Sequence, residues 1–89
     1  MPTVHVPPPY RGPTQGAAEV EVQGGTVFEC LEAVEARYPG FRELVIDPKG
    51  GVHRFVRLFV NGEQLDGDVL ATEVQGSDQL EVLAAIGGG

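Results

Sequence analysis

Hydrophobic and polar residues alternate one by one in two short stretches near the start of the chain. In residues 3–6 and again in residues 19–22 every second position is valine, which is typical of a β-strand with one buried face. The intervening residues 7–17 are rich in proline and glycine, and we predict a loop that Tyr10 anchors to the body of the protein. The two strands are expected to form a hairpin with a long connection.

A helical period replaces the alternation in residues 26–38. Thr26 and Glu29 have the spacing of a capping box at a helix start, and the Pro39-Gly40 pair ends the helix. Apolar side chains three or four residues apart form one stripe along this predicted helix: Val27, Cys30, Leu31, Val34 and Tyr38. The stripe is expected to pack on a sheet, where Cys30 serves as a small buried side chain and not as a nucleophile.

The second half of the chain contains the strongest strand pattern. Residues 52–60 are rich in β-branched and aromatic side chains, so we predict one continuous strand there, followed by a turn at Asn61-Gly62. A short helical turn is predicted at residues 41–46. A last apolar strand is predicted over residues 80–86.

The order of these elements predicts an α+β domain in which one main helix covers one face of a sheet. The first and last strands are both apolar, and we expect them to lie side by side and parallel at the centre, with the helix crossing between them. This arrangement is a β-grasp with a mixed sheet of four to five strands. We assign residues 1–86 to the domain and residues 87–89 to a flexible C-terminal glycine tail.

Charge restricts the classes of partner. The 89 residues include six Lys and Arg against 13 Asp and Glu, which gives a net charge of −7. A surface of this sign repels nucleic acid and anionic lipid, and no apolar run is long enough to span a bilayer, so we expect neither as a partner. A protein partner with a basic docking face is the expectation. The single cysteine cannot form an internal disulfide, which suits a cytoplasmic protein.

The candidate reactive group is the end of the chain, Gly87-Gly88-Gly89. Because glycine has no Cβ, such a run enters a slot too narrow for other residues and presents the carboxylate of Gly89 to a partner enzyme. The alternative is an inert, floppy tail.

An apolar surface is the second candidate. Phe59 and Leu83 are expected to point away from the helix, with Phe55 nearby on the same sheet face. Large apolar side chains on an open face favour a docking surface; the alternative is that the loop of residues 7–17 covers the two phenylalanines. The predicted partner-binding residues are Phe55, Phe59, Leu83, Ile86 and Gly87.

The remaining candidate groups give weaker patterns. His5 and His53 lack metal-ligand spacing to other ligands, so no metal site is predicted. No glycine-rich loop precedes a lysine, so the chain itself is not expected to bind ATP. Five acidic residues either steer the protein onto a basic partner or form an ordinary solvated surface: Asp66, Asp68, Glu73, Asp78 and Glu81.

Several stretches together resemble a known family. Residues 57–65 and the Gly88-Gly89 ending resemble ubiquitin-like proteins, and the MoaD/ThiS family of bacterial sulfur carriers is the closer likeness. Within that family, residues 31–40, 53–56 and 59–61 are similar to the carriers of a cysteine pathway. The resemblance covers nearly the whole chain.

The resemblance implies a protein co-substrate, not an enzyme. In the family, an adenylyltransferase related to ubiquitin-activating enzymes uses ATP and Mg²⁺ to adenylate the terminal carboxylate, and sulfur then displaces AMP to give a thiocarboxylate. The thiocarboxylate would form on Gly89, and Gly88 would be the narrow residue that precedes it. The chain itself would bind no cofactor. Further implied partners are a sulfur-accepting synthase and, if the cysteine likeness holds, a metalloprotease that cleaves an adduct from the tail.

The tail departs from the family pattern in two places. Gly87 stands where a small non-glycine residue is common, and Ala84-Ala85 stands where a proline is common. The reactive end is kept, and the acceptor stays open among cysteine, thiamin, molybdopterin and thiosugar products. The alternatives to this role are the small subunit of a molybdopterin synthase and a ubiquitin-fold interaction module with an inert tail.

Overall fold

A computed structural model describes residues 1–84, which form five strands and two helices. The strands are β1 (Thr3–His5), β2 (Glu19–Glu21), β3 (Val56–Val60), β4 (Glu63–Gln64) and β5 (Gln79–Ala84). The helices are α1 (Val27–Arg37) and the single turn α2 (Arg42–Val45). Two 3₁₀ turns, Pro8–Tyr10 and Val69–Ala71, lie in the connections.

The strands form one mixed sheet in the order β2-β1-β5-β3-β4. β1 and β5 are parallel neighbours at its centre, with Val4 alongside Leu80. The β1–β2 and β3–β5 pairs are antiparallel, and α1 packs on one face. The β-grasp prediction is therefore confirmed, including the hairpin at the start of the chain and the central parallel pair.

The start of α1 is fixed by two side chains that satisfy backbone N–H groups. The hydroxyl of Thr26 accepts a hydrogen bond from the Glu29 N–H at 3.1 Å, as the capping-box spacing predicts. The Glu29 carboxylate reaches back to the N–H of Gly25, at 2.7 Å, one residue earlier than in the standard box. The helix therefore begins where the sequence predicts it.

The core lies between α1 and the sheet. All of the predicted helix stripe is buried except Tyr38, which is half-buried at the helix end. Phe41 is the largest fully buried side chain, although the sequence pattern indicated only a helical turn at this position. It lies at the start of α2 and contributes to the same apolar cluster as the helix and sheet residues.

The long strand predicted over residues 52–60 is wrong in its first half. Val52 pairs instead with Ile46 in an isolated bridge, and a turn follows, in which the Val56 N–H donates to the His53 carbonyl at 2.9 Å. Arg54 and Phe55 therefore lie in a turn before β3, outside the sheet ladder. High strand propensity is a local property, whereas the pairing with Ile46 uses a partner that the propensity does not specify.

Candidate functional site: the open face and the corner where the chain leaves the sheet

β3 and β5 each present one face to the helix and one face away from it. Leu58 lies opposite Val82 in the ladder, and both are buried on the helix side. The alternate residues point the other way, with Arg57 opposite Leu83 and Phe59 opposite Glu81. We call this second side of the sheet the open face. As predicted, Phe59 and Leu83 lie on it.

The described chain ends at one corner of this face. Ala84, the last residue of β5, pairs with Val56, the first residue of β3. Phe55 therefore lies immediately beside the point from which residues 85–89 continue. Phe55 is 42% exposed and Leu83 is 44% exposed, so two large apolar side chains face solvent there.

The loop of residues 7–17 does not cover this corner. Tyr10 and Ala17 pack against the buried core cluster, and Phe55 keeps its exposure. Phe59 is half-buried and lies further along β3, between Glu81 and Gln64 of the neighbouring strands. The alternative of a covering loop is therefore wrong for Phe55.

Two arginines, which the sequence reading did not select, complete the corner. The guanidinium of Arg54 lies over the ring of Phe55, 4.7 Å from its centroid. Arg57 donates from Nη1 to the backbone carbonyls of Arg54 at 2.8 Å and of Val56 at 3.1 Å. We call Arg54, Phe55, Arg57 and Leu83 the exit corner. The available indication in the sequence was that Arg54 and Arg57 stand on either side of the apolar pair Phe55-Val56.

Four of the predicted site residues, Ile86, Gly87, Gly88 and Gly89, lie outside the described residues. The same is true of the predicted boundary between residues 86 and 87. The exit corner fixes only where this segment is attached to the sheet.

The opposite end of β3 and β5 is closed by hydrogen bonds. Asn61 and Gly62 both have positive φ, 52° and 86°, and form the predicted two-residue turn between β3 and β4. The Asp78 carboxylate accepts from the Gln75 N–H at 2.8 Å and from the Asn61 side chain at 2.9 Å. These hydrogen bonds lower the pKa of the Asp78 carboxyl below its ordinary value of 3.8, because they favour the ionised form.

The five acidic residues of the predicted cluster are distributed over several parts of the molecule. Glu81 is on the open face, Asp78 precedes β5, and Glu73 pairs with Thr26 at the start of α1. Asp66 holds its own turn by accepting from the Gly67 N–H. These predicted residues therefore belong to different elements of the described chain.

A groove of about 780 Å³ among the described residues lies away from the open face and is structural in character. It separates α1, α2 and the loop after α2. Its Glu35 carboxylate accepts from the N–H groups of Gly40 and Arg42, and Arg42 Nε lies 2.6 Å from Glu32 Oε1. These contacts join the two helices, so we assign the groove no chemistry.

Cys30 is fully buried. Burial raises the pKa of its thiol, and the charges of Glu29 and Asp78 add to the effect. A thiol held protonated is a poor nucleophile, which agrees with the prediction of a core side chain. Within residues 1–84 the structure contains no grouping of three His, Cys, Asp or Glu side chains suited to a metal ion. The same residues contain no helix long and apolar enough to cross a membrane.

A five-stranded mixed sheet with one main helix places the protein in the ubiquitin-like β-grasp class. Within this class the family can also be assigned, because the model of the ThiS family matches residues 9–89. The chain belongs to the ThiS family. The family resemblance that the sequence indicated is confirmed.

Individual relatives agree with this assignment. The sulfur carrier protein CysO of Mycobacterium tuberculosis is 36% identical over 90 residues, which cover 98% of this chain and 97% of the relative. A chain of the crystallised Amycolatopsis orientalis BexX/CysO complex has a TM-score of 0.90 and 35% identity, with all of both chains covered. The small archaeal modifier protein 1 of Methanosarcina acetivorans, at 21% identity and a TM-score of 0.82 over 99% of this chain and 95% of that one, shares the fold.

Proposed function

We propose that this protein is a sulfur carrier in cysteine biosynthesis, whose Gly89 carboxylate is adenylated and then converted to a thiocarboxylate. The observation that carries the proposal is the match to the carrier CysO along 98% of the chain. The family model also aligns through residue 89. We place the functional tail at residues 87–89, attached to a β-grasp domain of residues 1–86.

The proposed chemistry explains why a carrier needs an activating enzyme. A terminal carboxylate has an unperturbed pKa of about 3.5, so it is ionised at neutral pH and resists acyl substitution. Its oxygen attacks the α-phosphate of ATP, pyrophosphate leaves, and an acyl-adenylate forms. A sulfur nucleophile then adds to the acyl carbon and expels AMP, which leaves the thiocarboxylate on Gly89. The chain is a co-substrate, and ATP and Mg²⁺ are bound by the adenylyltransferase.

The open face provides the docking surface in this proposal. Phe55 and Leu83 are exposed at the corner where the tail is attached, and Phe59 extends the apolar surface along β3. A partner that binds this corner also positions the residues that follow it. Ile86 and Gly87 continue the contact towards the carboxylate of Gly89. Close packing around a slender glycine segment would keep water from the adenylate.

Two further partners follow from a role in cysteine biosynthesis. A synthase would accept the sulfur from the thiocarboxylate, with the carrier leaving or staying attached to the product. Where the product stays attached to Gly89 through an acyl bond, a metalloprotease would release it.

The deciding experiment is an intact-mass measurement after incubation with ATP, Mg²⁺, sulfide and the adenylyltransferase of the same organism. We expect a mass shift equal to the replacement of one oxygen by sulfur, mapped to Gly89 by fragmentation. The control is a chain extended by one alanine beyond Gly89, which keeps the domain but moves the carboxylate to another residue. The same shift on the extended chain, or no shift on the native chain, would contradict the proposal.

A further inference from the structure

Two of the four exit-corner residues are cations, although the protein is strongly acidic. The net charge is −7 and the chain has six Lys and Arg, yet Arg54 and Arg57 both lie at the point where the tail is attached. We infer that these two arginines are specificity-determining residues, which bind carboxylates of the activating enzyme around an apolar centre made by Phe55 and Leu83. This inference rests on the proposed carrier function and names the chemistry of the partner's surface.

Neither arginine forms an ion pair with an acidic residue of the described chain. Among residues 1–84 the ion pair within 4 Å joins Arg42 to Glu32. Arg54 and Arg57 are both exposed, so their charges face solvent. A cation without a carboxylate partner in an acidic protein is available to a partner of the opposite sign.

Both arginines are held in position before any partner arrives. The Arg54 guanidinium lies over the Phe55 ring, 4.7 Å from its centroid, and Arg57 donates to two carbonyl oxygens through its Nη1 alone. The other N–H donors of Arg57 keep their capacity for hydrogen bonds. Preorganised side chains lose less entropy on binding, and arginine together with aromatic residues is enriched at the energetic centres of interfaces.

The local charge is opposite to the one expected from composition. The net charge predicts a partner with a basic docking face, but the surface beside the attachment of the tail contains two arginines and two apolar side chains. Charge complementarity at this corner therefore favours an acidic rim on the partner, with apolar groups at its centre.

The test uses carrier-dependent ATP–pyrophosphate exchange by the adenylyltransferase of the same organism, with KM and kcat measured separately. We expect Arg54→Glu and Arg57→Glu each to raise the KM for the carrier by about tenfold at low ionic strength. The kcat should stay unchanged because Gly89 is intact. The penalty should shrink with added salt, since the Debye length falls from about 10 Å at 0.1 M to about 3 Å at 1 M.

The matched control is Arg37→Glu, which makes the same change of charge. Arg37 also lies by an aromatic ring, 5.5 Å from the Tyr38 centroid, and also donates to a carbonyl, that of Glu21 at 3.0 Å. Glu21 pairs with Thr3, and Thr3 lies alongside Gln79, so this arginine is at the end of the sheet far from the exit corner. Its reversal should leave KM unchanged.

Arg57→Gln guards against a folding artefact, because glutamine keeps an N–H donor for the carbonyls and removes the charge. It should raise KM less than Arg57→Glu while leaving the unfolding transition at its native position. An unchanged or lowered KM in the exit-corner variants, with native exchange by the unmodified protein, would overturn the inference alone. An unmodified protein that supports no exchange would overturn the carrier function and this inference with it.

Discussion

The two faces of β5 differ sharply although their residues alternate along one strand. Leu80 and Val82, on the helix side, are 0% and 2% exposed, whereas Leu83, on the open face, is 44% exposed. Burial of a leucine side chain stabilises the fold by about 1.5–3 kcal/mol, and Leu80 provides this stabilisation within the chain. Leu83 leaves much of it unused, so its apolar surface is available for a partner.

The comparison separates the residues that hold the fold together from those that are available for docking. The helix-side residues interlock with α1 in one apolar cluster. The apolar side chains of the exit corner, Phe55 and Leu83, are exposed and border the attachment of the tail. Substitutions on the two faces should therefore affect different measurements.

The largest expected effect comes from one substitution made on both faces. Leu80→Ala should lower the free energy of unfolding by about 2–5 kcal/mol, because it removes buried methylene groups and leaves a cavity. Leu83→Ala should lower it by about 0.5 kcal/mol or less, as for a surface position. Urea unfolding followed by circular dichroism measures both. Equal losses would place Leu83 in the core and remove the contrast between the faces.

The next effect concerns binding and compares two exposed phenylalanines. Phe55→Ala should weaken binding to the adenylyltransferase by about tenfold or more, the loss expected for an aromatic residue at the centre of an interface. Phe28→Ala is the matched control, because Phe28 is also exposed, at 36%, and also lies beneath an arginine, Arg42 at 5.8 Å. Titration calorimetry measures both variants. Weakening by Phe28→Ala alone would move the docking surface to α1.

A smaller effect is expected at the end of the sheet opposite the exit corner, and it depends on pH. The pKa of the Asp78 carboxyl is lowered in the fold by its hydrogen bonds to Gln75 and Asn61. The stabilisation is therefore present above the ordinary value of 3.8 and is lost as the pH falls through the lower folded value. Asp78→Asn should therefore make the melting temperature less dependent on pH in this acid range.

Thermal unfolding from about pH 5 to about pH 2 measures this pH dependence in the native protein and in Asp78→Asn. Glu63→Gln is the control, because it removes one carboxylate from β4 and leaves the Asp78 hydrogen bonds in place. If Asp78→Asn leaves the loss of stability at acid pH unchanged, other carboxyl groups control acid unfolding.

The smallest effect on stability is expected at the tail. Removal of Gly88 and Gly89 should leave the unfolding transition nearly unchanged, because these residues have no side chains to bury. The same deletion should abolish adenylation. A large loss of stability would show that the glycines are packed, and it would count against a free reactive end.

Local patterns in the sequence were sufficient for most of the fold. The alternation of valines located β1 and β2, and the apolar stripe with Thr26 at its start located α1. These elements follow from side-chain periodicity and capping, which depend on neighbours within about one turn or one strand. The turn at Asn61-Gly62 was equally local, since its positive φ angles suit those two residues.

The exit corner required the tertiary structure. Residues 52–60 have uniform strand propensity, but Val52 pairs with Ile46 in an isolated bridge. A turn follows it, so Arg54 and Phe55 lie outside the ladder. Sequence reasoning selected Phe55 and Leu83 as apolar surface residues. It did not select Arg54 or Arg57 as site residues, because exposed arginines are ordinary in a sequence and become distinctive only by position.

The sequence alone determined the class of fold, the helix and its buried face, the net negative charge and the family likeness, because these depend on composition and short-range periodicity. Tertiary structure decided which residues stand beside the attachment of the tail and which sign of charge they present. Strand register brings Ala84 to Val56 and Leu83 to Arg57 across about 25 intervening residues. Such long-range pairing is set by packing of the whole sheet against α1, and no short stretch of the chain encodes it.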